Sequence, residues 1–166
     1  MNRTSSRVVS RIAVAILAAF FLAAAFPQVS YAQTDPLIGT WKLNLAKSTY
    51  SPGPAPRSST LTVEAAGQGR TYTFDLISLA GMPVKIVFIA IDDGQPHPAT
   101  GSLVADAASI RQINAFLRNY SLMKAGREVQ TGALVISTDG KTATFFNTGV
   151  DENGQPISNV VVYEKQ

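Results

Sequence analysis

The 166-residue chain predicts an all-β fold, an antiparallel meander of about nine or ten strands closing into a single small barrel behind an N-terminal signal helix. Three observations carry this reading. Apolar and polar residues alternate with period two over short segments. Turn signals built from Gly, Asn, Asp and Pro separate those segments at short intervals. Beyond residue 32 no convincing amphipathic helix occurs; the best candidate, Ala105 to Leu117, is weakened by Ser109, Ile110, Ile113 and Asn114.

The first 32 residues read as a cleaved secretory signal. Arg3, Arg7 and Arg11 make a basic start free of acidic residues, and Ile12 to Phe26 is uninterruptedly apolar. Pro27 then breaks the helix, and Ser30-Tyr31-Ala32 places small residues where a signal peptidase reads. As a helix, the apolar run would cover roughly 22 Å, short of the ~30 Å hydrocarbon core. No Cys follows it, which excludes a lipoprotein, and no Arg-Arg pair marks the twin-arginine route. The expected products are a signal peptide, 1–32, and one β-barrel domain, 33–166, periplasmic or secreted and without a stable membrane anchor. N-terminal sequencing of exported protein is expected to begin at Gln33; retention of Ile12 to Phe26 would contradict it.

Removing Arg3, Arg7 and Arg11 from 14 basic residues leaves 11, balanced by 11 acidic ones. The formal charge of the mature part is therefore zero, and the chain's basicity gives no ground for nucleic-acid binding. With no cysteine, an exported domain of this kind must be held by packing and hydrogen bonding alone.

Along the mature chain, Gly39 to Leu45 alternates Trp41, Leu43 and Leu45 against Thr40, Lys42 and Asn44. Ser51 to Arg57 carries three prolines and reads as an extended connection. Thr60 to Ala65 and Thr71 to Leu76 follow, the latter placing Tyr72, Phe74 and Leu76 on one face. Val84 to Ile91 is apolar on both faces except at Lys85, as in a strand covered on both sides. Further strands are expected at Ser109–Ile113, Phe116–Met123, Glu128–Ser137, Thr142–Thr148 and Ile157–Glu164, separated by signals such as Asp139-Gly140 and Asn153-Gly154.

Asp93-Gly94-Gln95-Pro96 and Asn153-Gly154-Gln155-Pro156 echo each other. Asp92, Asp93, Asp151 and Glu152 could be oxygen ligands for calcium, but the spacing lacks the regular pattern and late Glu of an EF-hand. Paired turns in which Asx-Gly supplies positive φ are the favoured reading. His97, the only histidine, stands between Pro96 and Pro98 in an expected loop. A lone His without Cys is a poor zinc or haem site, and no Gly-x-Ser-x-Gly elbow or phosphate-binding glycine loop is present. No catalytic residue, metal or cofactor is assigned.

Gly39-Thr40-Trp41-Lys42-Leu43 resembles the opening signature of the calycins, the lipocalins and fatty-acid-binding proteins. That resemblance implies a Trp closing one end of a ligand-holding barrel. The helix pair that caps fatty-acid-binding barrels is replaced here by the proline-rich segment. Over a longer span, Asp35-Pro36, the Gly39 to Asn44 segment, Ala46-Lys47-Ser48, Pro52 to Pro56, Asp139 to Thr142 and Gly154 to Ile157 look like a group of small exported bacterial β proteins. This likeness implies export and a β fold and transfers no activity.

Arg118-Asn119-Tyr120 completes the candidates. Alternation places Phe116, Arg118, Tyr120 and Leu122 on one face. Fatty-acid-binding proteins hold a lipid carboxylate with an Arg-x-Tyr pair, although theirs is on the last strand, and the last strand here, Val160 to Tyr163, has no Arg. An outward Arg whose stem covers apolar surface is the favoured alternative for Arg118. The expected function is non-enzymatic binding of a small apolar or amphipathic ligand, with Arg118, Tyr120, Phe116, Tyr72, Phe74 and Trp41 as candidate contacts. An interaction module using an exposed sheet face is second, and an enzyme acting on lipid or envelope material third.

Overall fold

The computed structural model describes residues 35–166. The expected signal helix and its cleavage site lie outside the described residues. Ten strands are present: β1 (Gly39–Leu43), β2 (Ser58–Ala66), β3 (Gly69–Ile77), β4 (Pro83–Ala90), β5 (Asp93–Thr100), β6 (Ala107–Asn114), β7 (Leu117–Lys124), β8 (Arg127–Ile136), β9 (Thr142–Val150) and β10 (Pro156–Lys165). Each pairs antiparallel with its neighbour in sequence, and β1 pairs with both β2 and β10, so the meander closes into a barrel. Closure removes the sheet edges that an open meander would expose.

Alternation sets which side chains enter the barrel. Trp41 and Leu43, Leu61 and Val63, and Leu134 and Ile136 are buried at every second position, the signature of strands with one face on a core. β1 is shorter than expected, because Leu45–Lys47 forms a 3₁₀ turn opened by the Asn44 side chain, which accepts the Lys47 N–H. The chain then runs along β10, where Thr49 and Val160 exchange hydrogen bonds.

β5 corrects the expected loop around His97. Pro96 and Pro98 are tolerated within this strand for a geometric reason. Ala99 donates its N–H to Asp106 in the β5–β6 connection, so the neighbouring proline nitrogens face β4. There the β4–β5 ladder is confined to Val87–Thr100 and Phe88–Ala99, and no donor is needed. Of the two echoing segments, the second is the turn between β9 and β10, whereas the first opens β5 with a register shift between Asp93 and Pro96. Gly94 and Gly154 have φ of 75° and 77°, Asp93 accepts the Gln95 N–H, and Asp151 accepts those of Asn153 and Gln155.

Trp41 is fully buried at the end of the barrel where β1 begins, and its indole N–H donates to the Leu37 carbonyl at 2.9 Å. Lys165 places its ammonium 4.9 Å from the ring centroid on a neighbouring strand. Leu37, also fully buried, packs in the same cluster, so the segment before β1 plugs this end. Replacing Trp41 by Ala should cost about 3–5 kcal/mol, the usual range for a buried aromatic. Chemical denaturation checks this, and an unchanged midpoint would show that the plug contributes nothing.

Candidate functional site

The barrel is hollow above its plug. A cavity of about 640 Å³ occupies the other half and is lined mainly by apolar side chains. Its rim consists of the proline-rich segment at Gly53–Pro56, the β3–β4 turn at Leu79 and Ala80, Val104, and the β9–β10 turn at Asp151 and Glu152. Antiparallel order places all of these at one end, opposite Trp41.

The walls carry a belt of aromatic rings. Phe74 meets Phe88 edge to face at 5.9 Å and Phe145 at 6.0 Å, and Phe145 meets Tyr163 at 5.7 Å. Tyr163 is fixed by a 2.9 Å hydrogen bond with Ser59. Tyr120 lies over Gly132 on the adjacent strand, with its hydroxyl donating to the Phe146 carbonyl at 3.2 Å. Only glycine fits beneath it, because a Cβ at 132 would stand 2.7 Å from the Tyr120 hydroxyl and 1.9 Å from the Phe146 oxygen.

Arg118 is 1% exposed and lines the cavity, which corrects the favoured outward placement. Burying a guanidinium requires partners, and Asp35 supplies one at 2.8 Å from Nη2. Arg70 bonds both Asp35 and Asp92, and Asp92 lies 3.7 Å from the Arg118 Nε. The four residues come from the plug, β3, the β4–β5 junction and β7. Their two positive and two negative charges cancel.

Burial pushes the Asp35 carboxyl up, but the Leu37 N–H and the charges of Arg118 and Arg70 outweigh it and hold the group below its ordinary value. Asp35 therefore favours the folded state above the ordinary carboxylate range near pH 4, and that contribution is lost as the pH falls through its lowered value. Asp35→Asn should reduce the fall in stability between about pH 5 and pH 2. Urea denaturation across that range checks it, and an unchanged slope would contradict the role of Asp35.

Three groups at this floor keep unused hydrogen-bonding capacity. The Nε and Nη1 of Arg118, the hydroxyl of Tyr72 and the Oδ1 of Asp92 are buried without partners among the described residues, and of the three only Arg118 and Tyr72 line the cavity. Burial pushes the Tyr72 hydroxyl up to about 12, so it remains protonated at neutral pH and can donate. Arg118, Tyr120, Tyr72 and Phe74 thus meet in the cavity as candidate contacts. Trp41 and Phe116 are absent from its lining. Trp41 belongs to the plug, and Phe116 sits in the β6–β7 turn, packed against the core cluster at that same end.

The Arg118 guanidinium is a structural partner of Asp35, and breaking a buried ion pair typically costs about 3–5 kcal/mol. His97 lies outside the cavity lining, with its ring nitrogen 3.1 Å from Asp93. Among the described residues, no group of three His, Cys, Asp or Glu side chains could hold a metal ion.

No family model matches the chain, and no curated protein sequence does. Among solved structures, the chain is similar to zebrafish ileal bile acid-binding protein complexed with cholic acid, at 10% identity and a TM-score of 0.45, covering 79% of this chain and 99% of that one. It is also similar to a redesigned β barrel, mFAP1, bound to DFHBI, at 9% identity and a TM-score of 0.41, covering 78% and 95%. The fold assignment rests on the strand pairing, which closes the barrel independently of any relative.

Proposed function

We propose that this is an exported, non-enzymatic binding protein that holds a small amphipathic ligand inside its barrel. The mature chain would begin at Gln33 and act in the periplasm or outside the cell, a reading supported by the basic start, the apolar run Ile12 to Phe26 and Ser30-Tyr31-Ala32. The observation that carries the reading is a cavity of about 640 Å³ with apolar walls and unused donors at its floor. That volume falls in the ordinary range for small-molecule sites, about 300–1,000 Å³.

Ligand polarity follows from the floor. Because the four charges there cancel, the floor needs no counter-ion and instead offers hydrogen bonds from Arg118 and Tyr72 to an oxygen acceptor. An acid, alcohol or carbonyl head provides that acceptor, and the chain behind it lies along Phe74, Phe88 and Phe145. The apolar positions of β4 that face outward, Val87 and Ile89, leave an outer-surface role as the alternative outcome.

Calorimetric titration with laurate tests the proposal. Saturable binding with one ligand per chain is expected. Tyr72→Phe should weaken it by about 0.5–1.5 kcal/mol, the net value of one hydrogen bond. It should not lower stability, since that hydroxyl has no partner to lose among the described residues. Absence of saturable binding would overturn the proposal and favour the surface role.

A further inference from the structure

The cavity has a second polar station, far from Arg118 and opposite in character. Gln130 on β8 is 7% exposed and donates its Nε2 to the Val150 carbonyl at 2.8 Å. That carbonyl is available because the β8–β9 ladder ends at the Gln130–Gly149 pair. With its amide so fixed, Gln130 presents Oε1 to Asn147, which donates Nδ2 to it at 3.1 Å. The orientation of Asn147 follows in turn. Its Oδ1 is left as a buried acceptor without a partner among the described residues, on a side chain that lines the cavity. A backbone carbonyl thus dictates, through two amides, that the cavity wall offers an acceptor at Asn147, opposite in character to the Arg118 and Tyr72 donors that line the floor.

The spacing is set by register. Asn147 pairs with Gly132, and Gly132 with Tyr120, two residues further along β7 than Arg118. At about 3.3 Å per residue and about 4.8 Å per strand, Asn147 lies roughly 7 Å along and roughly 10 Å across the sheet from Arg118. Beside them stands the aromatic belt of Phe74, Phe145 and Tyr120, which offers no polar contact to a ligand body beyond the Tyr120 hydroxyl, already bonded to Phe146.

We infer that the ligand is polar at both ends: an oxygen acceptor at Arg118 and Tyr72, an apolar body, and a hydroxyl or amide N–H that donates to Asn147 Oδ1. This rests on the binding proposal above and narrows its ligand class. An unpaired buried acceptor is costly, and an apolar ligand end placed against it would leave that cost in place. A donor on the ligand removes it, so an added hydroxyl, ordinarily unfavourable in an apolar cavity, should strengthen binding here.

Paired calorimetric titrations with laurate and ω-hydroxylaurate test the inference, using the full mature chain and the double variant Gln130→Leu/Asn147→Leu. The double variant removes both amides together, so neither is left half-paired, and circular dichroism checks that it folds. The unmutated protein should bind ω-hydroxylaurate at least tenfold more tightly than laurate, and the double variant should lose that preference. If the double variant fails to fold, the preference of the unmutated protein alone decides. Equal binding of the two acids, or a preference for laurate, would overturn the inference and leave the binding proposal standing. So would a preference that survives in the folded double variant. Failure of both acids to bind would overturn the binding proposal and the inference with it.

Discussion

Arg118 inside the barrel constrains nearly everything around it. A guanidinium at 1% exposure is tolerable only when paired, and its paired carboxylate, Asp35, comes from the segment just before β1. Asp35 also receives Arg70 from β3, which in turn binds Asp92 at the β4–β5 junction. The quartet therefore ties the plug to three separate regions of the wall. It sets where the packed half of the barrel ends and the cavity begins. Trp41 and Leu37 fill the space at that end, and the hydrogen bond from the indole to Leu37 holds the plug that carries Asp35.

The hollow upper half follows from barrel size and side-chain choice. A closed sheet widens with strand number, and ten strands enclose more room than the eight that side chains just fill. A small residue at an inward position, Ala108, leaves part of that room open. The rings of Phe74, Phe88, Phe145 and Tyr163 brace one another across neighbouring and facing strands. Without disulfides, stability rests on the continuous ladder, the plug and these contacts. The cavity is compatible with a stable chain because it is confined to one end.

Much of the fold was legible because strand alternation is a local property. Tyr72, Phe74 and Leu76 in β3 and Trp41 and Leu43 in β1 show it without long-range information. β5 was missed because Pro96 and Pro98 ordinarily argue against a strand; their tolerance depends on the short β4–β5 ladder, a tertiary fact. The site was half legible. Arg118 and Tyr120 share a face by alternation, but whether that face looks inward depends on closure. Arg70 lies two residues before Tyr72, so it was already in phase with the inward face of β3. Asp35 carries no such mark, because its place depends on how the plug packs. Gln130 and Asn147 were also in phase with the core residues Leu134 and Ala143. As neutral amides among strand residues they gave no sequence signal of a site.

The central claim is that the interior of the barrel, and not its outer surface, is the binding surface. Methyl-selective NMR during a laurate titration tests this directly. The account predicts progressive shifts of Ile86, Ile110, Leu122 and Ile157, whose side chains line the cavity, with little change at the exposed Ile89, Ile113 and Val135. Shifts confined to the exposed methyls, with the interior unmoved, would contradict it.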